Sequence, residues 1–206
     1  MATSKIQICN LALAAVGADA IRSFDEANKR ARLCDVFYET QRTYLLSRFD
    51  WPFARRFKQL QQLALDADEL PLGNYAYALP ADCLTPRDVW PEGSRDFWEV
   101  FGESLYTELS AVGLYYTADI SDSTKFSNSF VHTMWQGLAV RICPAITQNI
   151  KLTQELFSQY RIEERESWEN DANVGNKYRE YNEHPDNDSF VNPDALLPSE
   201  VYGQFS

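Results

Sequence analysis

The sequence predicts an α+β protein: mainly an α-helical bundle, with a small antiparallel β subdomain inserted between helices 2 and 3 and an extended C-terminal arm. Three observations carry this reading. Apolar residues follow a helical period over the first fifty positions, a period of two from Tyr75 to Tyr116, and a helical period again from Phe126. Two aromatic signatures lie around the switch, Trp51-Pro52-Phe53-Ala54 and Tyr75-Ala76-Tyr77-Ala78-Leu79-Pro80-Ala81-Asp82-Cys83-Leu84. From Tyr181 onward there are three prolines and no Lys or Arg, a composition that cannot build a core alone. The boundaries follow: 1–52 and 123–180 for the two parts of the bundle, 53–122 for the β subdomain, 181–206 for the arm.

Thr3 or Ser4 caps a first helix over 4–16, whose apolar positions Ile8, Leu11, Ala12, Ala15 and Val16 end at Gly17. Ser23-Phe24-Asp25-Glu26 reads as a capping box for a second helix over 24–49. Its inner stripe is Ala27, Ala31, Cys34, Tyr38, Leu45 and Phe49, and its outer face Lys29, Arg30, Arg32, Arg42 and Arg48. Pro52 ends it. Strands confined to 53–117 form one small sheet, with Gly102-Glu103-Ser104 as a tight connection and Ala111–Tyr116 as a strand. Phe126, Phe130, Met134, Leu138 and Ile142 at steps of four give a third helix over 124–143, interrupted or closed by Pro144. A last helix over 152–174 turns Leu152, Leu156, Phe157, Tyr160 and Trp168 inward and Glu163, Glu164, Glu166, Glu169 and Asp171 outward, with Gly175 weakening its end.

With 45% hydrophobic and 14% aromatic residues the chain can bury a core. No apolar run approaches the ~20 residues of a membrane span, and Met1–Ile6 lacks the pattern of a signal peptide. Cys9, Cys34, Cys83 and Cys143 are scattered, as expected of reduced thiols; His132 and His184 stand at no zinc-ligand spacing. The net charge of −11 argues against tight nucleic-acid binding. Its distribution says more. Residues 1–60 carry ten Lys/Arg against six Asp/Glu, a net of +4, and residues 61–206 carry nine against twenty-four, a net of −15. Either both halves are solvated faces, or neighbouring copies meet by charge, with Arg30, Arg42 and Arg48 on one side and Glu163, Glu166 and Glu169 on the other.

A search for chemistry yields little. Glu163-Glu164-Arg165-Glu166 points around a helix into water, and Cys83 beside Asp82 has no glycine-rich turn to form an oxyanion site. There is no phosphate-cradling glycine motif. Trp51 and Phe53 read as plugs between bundle and sheet, with base stacking as the alternative given Arg55 and Arg56 beside them. Tyr75, Tyr77, Pro80 and Asp82 belong to the same structural junction. Phe190, Val191, Leu196, Leu197, Tyr202 and Phe205 make the arm either a docking strap or a frayed end.

Several elements recur in one order: Asn10–Leu13, Val16-Gly17, the Ser23–Glu26 box, Trp51-x-Phe53-Ala54, Tyr75-x-Tyr77-x-Leu79-Pro80-x-Asp82-Cys83-Leu84, Leu114-Tyr115-Tyr116, then Phe126, Phe130 and Leu138-Ala139. Over about residues 5–175 this resembles the head-to-tail adaptors of short-tailed bacteriophages, the tail tubular protein A group. The resemblance implies a ring, typically of twelve copies, between the portal protein and the tail nozzle protein of a virion. Such a ring is assembled in the bacterial host cytoplasm. It continues the channel through which DNA passes and offers a platform for tail fibres, with no catalysis, no cofactor and no membrane. Two other classes remain open: a small hydrolase using Cys83 or a carboxylate pair, and a monomeric accessory or scaffolding protein.

Overall fold

The computed structural model describes residues 3–64, 75–90 and 98–183. The protein is α+β, with four α-helices and two antiparallel sheets among the described residues. Helix α1 spans Lys5–Ala15. The Ser4 side chain accepts from the Gln7 amide at 3.2 Å while Gln7 accepts from the Ser4 amide at 2.8 Å, a reciprocal capping box. The helix closes on Gly17 at φ +73°, where a Cβ would be strained, and the Ala18 amide reaches back to the Leu13 carbonyl at 2.9 Å. Asn10 then pins the following loop by bonding both the amide and the carbonyl of buried Ile21.

Helix α2 spans Lys29–Arg48, five residues later than the Ser23 box predicts. Glu26 does accept from the Ser23 amide, but the Ser23 hydroxyl accepts from the Asp25 amide at 3.1 Å and closes a turn instead. Asn28 is the true cap, its Oδ1 accepting from the Ala31 amide at 2.8 Å, so Ala27 lies outside the helix and exposed. The buried stripe is Ala31, Cys34, Tyr38, Gln41, Arg42, Leu45 and Leu46. Arg42 therefore belongs to the inner face, not the outer one. It stands four residues after Tyr38, and its charge is met from inside the chain by Asp119, Glu39 and the Ile120 carbonyl.

After the tight turn Pro52–Ala54 come seven described strands: β1 Arg55–Gln59, β2 Gln61–Leu63, β3 Tyr75–Ala78, β4 Cys83–Trp90, β5 Trp98–Phe101, β6 Ser104–Thr107 and β7 Gly113–Ala118. They form two sheets where the sequence predicts one, ordered β1-β7-β4 and β2-β3-β6-β5. The division falls at Leu60. This buried residue lies between β1 and β2 and donates to the Val112 carbonyl at 2.9 Å, so one continuous stretch of chain leaves the first sheet and enters the second. Strand β4 is absent from the sequence reading because Pro86 interrupts it; its ladder to β7 accommodates the proline with register shifts at Cys83/Thr85 and Pro86/Asp88.

Helix α3 spans Asn128–Thr147 under a Ser127 cap and runs through Pro144, ending on Gln148 in the left-handed region. Helix α4 spans Ile150–Glu183, past Gly175 and the predicted end. Its inner stripe is Leu152, Leu156, Tyr160, Glu164 and Ser167. Phe157 and Trp168 are instead 47% and 41% exposed, and Glu164 only 8%: steps of four from Leu152 reach Glu164, and a step of three then carries the buried stripe to Ser167, which leaves Phe157 and Trp168 on other faces. One core gathers side chains of α1, α2 and α3 with Trp51, Ala54 and Phe126; a second gathers Leu60, Tyr77, Val89, Leu105, Leu114 and Tyr116 from the sheets. Ile120 packs against both.

Candidate interaction surfaces and the helix–sheet junction

The end of α2 is where the helices meet the strands. Its last carbonyls have no partner within the helix. The Trp51 Nε1 donates to the Leu45 carbonyl at 2.8 Å. The Arg87 guanidinium, from β4, donates to the Ser47 carbonyl at 3.0 Å and the Phe49 carbonyl at 2.7 Å, with a longer 3.4 Å approach to Leu46. Its Nε also donates to Thr117 on β7 at 2.8 Å. A cation over a helix C-terminus opposes the negative end of the helix dipole, even though burial pulls the Arg87 pKa down. One turn and a half earlier, Arg42 ties the same helix to Asp119 and Ile120 just beyond β7. Two arginines thus clamp α2 to the three-stranded sheet.

Trp51 is 1% exposed and sits edge-on to Phe130 with ring centroids 5.1 Å apart, while Phe53 packs on the same ring at 5.1 Å. Both are committed to packing, which leaves no free face of Trp51 for stacking on a base. In the second signature Tyr77 is buried and its hydroxyl donates to the Leu109 carbonyl at 2.8 Å; Tyr75 packs partly buried on the sheet core. Pro80 is buried, and the Cys83 amide donates to its carbonyl at 2.8 Å to turn the chain into β4. The Asp82 carboxylate accepts from the Tyr116 hydroxyl at 3.0 Å, and its carbonyl accepts from the Asp119 amide at 2.8 Å. The signature is therefore a corner of the sheets, and Asp82 is engaged in holding it.

The residues offered as a subunit interface separate. Arg42 is internal. Arg30 pairs with Asp19 at 3.0 Å, and Arg48 with Glu164 at 3.4 Å. Among the described residues Glu163 pairs with His132, whose Nδ1 lies 2.8 Å away. Glu166 and Glu169 are exposed on α4. The arm residues Phe190, Val191, Leu196, Leu197, Tyr202 and Phe205 lie outside the described residues.

Between the end of α2 and the middle of α4 lies a cleft of about 430 Å³ that the sequence does not announce. Its apolar floor is Phe49 stacked on Trp168, centroids 5.6 Å apart, beside Ile162. Arg48, Arg161 and Arg165 rim it, with Glu164 as the one carboxylate. A buried polar chain supports it from below: Arg141 donates to Gln41 at 2.6 Å, Gln41 to the Tyr160 hydroxyl at 3.3 Å, and Tyr160 to Glu164 at 3.0 Å. Gly137 makes room for Gln41, since a Cβ there would come within 2.0 Å of its side-chain nitrogen.

The groups with catalytic character are poorly arranged for turnover. Burial, with the nearby Asp82 charge, pushes the Cys83 thiol up to about 11, so only about one part in ten thousand is thiolate at pH 7. In the Ser167–Glu163–His132 chain the carboxylate stands in the middle, at 3.4 Å from the serine, where a nucleophile needs the imidazole. Among the described residues no cluster of His, Cys, Asp and Glu could hold a metal ion, and no helix is long and apolar enough to cross a membrane. No protein-family model matches the chain, and no curated protein matches it in sequence.

Proposed function

We propose that the protein is a structural component of a tailed-bacteriophage virion, a head-to-tail adaptor that forms a ring, dodecameric in this reading, between portal and tail nozzle. The observation that carries the reading is the return of the chain to its first core. Helix α3 packs against α1 and α2 after the described strands, and these strands keep a separate core of their own. That arrangement supports a helical bundle with a β subdomain inserted between helices 2 and 3, the architecture the resemblance implies. Arg42 and Arg87 tie the helices to the sheet, which suits a subunit that must transmit register around a ring. The exposed Glu166 and Glu169 of α4 remain as the acidic side of a contact between copies.

In this reading the chain works by assembly, with its portal, its nozzle and copies of itself as partners, and DNA passes without specific contacts. The test is mass. The full chain is measured alone and after mixing with a portal ring. A defined multiple of the subunit on the portal, with association weakening between 0.1 M and 1 M salt, is the expected result. A monomer that ignores every portal ring tested rejects the reading in favour of an accessory protein.

A further inference from the structure

We propose that the cleft between α2 and α4 is a docking site for the stretch 191–202 of the same chain. The cleft has an aromatic floor and a cationic rim. Phe49 and Trp168 stack face to face, yet Trp168 remains 41% exposed, an apolar surface left open beside Ile162 at 53%. Arg161 and Arg165 are exposed and form no ion pair among the described residues, and the remaining pair, Arg48 with Glu164, is neutral. The site therefore presents two unanswered positive charges above a flat apolar surface. It asks for an occupant that is acidic and apolar in alternation.

The chain carries such a segment. Residues 184–206 contain Asp186, Asp188, Asp194 and Glu200 and no Lys or Arg, with Val191, Leu196, Leu197 and Tyr202 set between the last two carboxylates and around them. Its position in the chain fits as well. Helix α4 is described as far as Glu183, eighteen residues beyond Arg165, which is about 27 Å at the helical rise. Roughly eight extended residues cover that distance on the way back. Val191 then arrives beside Arg165, with Asp194 and Glu200 following along the rim and the leucines facing Trp168. A tether this short holds the segment at an effective concentration on the order of millimolar, well above the concentration of a second copy in dilute solution. Hydrophobic burial on Trp168 and Phe49 supplies the affinity, and the arginines fix direction and register. The docked state is where the arm rests when no portal engages it, and it stands whether or not the ring reading holds.

The experiment uses the full chain alone, with no portal, followed by amide hydrogen exchange at low salt. Amides of 191–202 should exchange at least about tenfold more slowly than in an R161E/R165E variant. Salt at 1 M should release them to a similar extent. A D194K/E200K variant, altered outside the described elements, should release them too, and combining the four changes should restore protection. Exchange of 191–202 at the rate of an unstructured chain in the parent protein overturns the proposal. So does protection unaffected by either pair of substitutions. Protection that grows with protein concentration assigns the cleft to the arm of a second copy and overturns the same-chain docking.

Discussion

Replacing Trp51 tests the junction most directly, because two contributions can be separated by two variants. Trp51→Ala removes a side chain that is 1% exposed and edge-packed on Phe130 and Phe49. Large-to-small changes of this type cost about 3–5 kcal/mol through the cavity left behind. The Leu45 carbonyl also loses its one donor from beyond the helix among the described residues, the indole Nε1 at 2.8 Å, and Leu45 is fully buried. An orphaned buried acceptor adds about 1–3 kcal/mol. The sum approaches a large share of the ~5–15 kcal/mol that holds a typical domain. Trp51→Phe keeps most of the ring and removes the donor, so it should cost about 1–3 kcal/mol, seen as a melting temperature lowered by roughly 3–10 °C. Urea unfolding of the three proteins, read by far-UV circular dichroism, gives both numbers. A Trp51→Phe variant as stable as the parent would show that the carbonyl does not depend on the indole. A Trp51→Ala variant within about 1 kcal/mol of the parent would show that Trp51 is not a core residue, and the stacking role would return.

Three further outcomes follow from the same geometry. Arg87→Met should lower stability by about 1–3 kcal/mol in urea unfolding, since the α2 terminus loses its cation and the Ser47 and Phe49 carbonyls lose their donor; an unchanged midpoint would remove the clamp. Gly137→Ala should cost about 1–3 kcal/mol by driving Gln41 away from Arg141 and Tyr160, and adding Gln41→Ala should recover part of the loss; strictly additive costs would contradict the crowding. Stability should also decline on the alkaline side. The folded Cys83 thiol is raised from 9.0 to about 11, so its contribution is complete below pH 9 and is lost as the pH climbs through 11. Tyr116, pushed up to about 12 by burial and by its bond to Asp82, extends the decline. A Cys83→Ala variant should show a shallower loss between pH 9 and 11, and an identical slope would exclude the thiol as its source.

Periodicity alone was enough to read four helices around a strand region, because burying one face of a helix or strand imposes a repeat that any sequence must carry. The Ser4 cap, the stop at Gly17 and the i,i+4 column from Phe126 to Ile142 are local facts of this kind. Burial of Trp51 was legible for the same reason, as a large aromatic just past a helix end. The misread features are those in which distant groups compete. Ser23 and Asn28 are both adequate caps, and only the loop held by Asn10 and Ile21 decides for Asn28. A buried arginine at position 42 looks like a surface one until Asp119 arrives from seventy-seven residues away to satisfy it. Strand β4 hides behind Pro86 because the ladder that tolerates the proline belongs to β7. The Arg48, Arg161, Arg165 and Trp168 cleft has no sequence signature, since its walls come from two helices more than a hundred residues apart. Local spacing determines which elements form and which face each one buries. Which polar side chain is buried, and against what, depends on partners that only the tertiary structure brings within reach, because desolvating a charge is tolerable only where its counter-charge is already waiting.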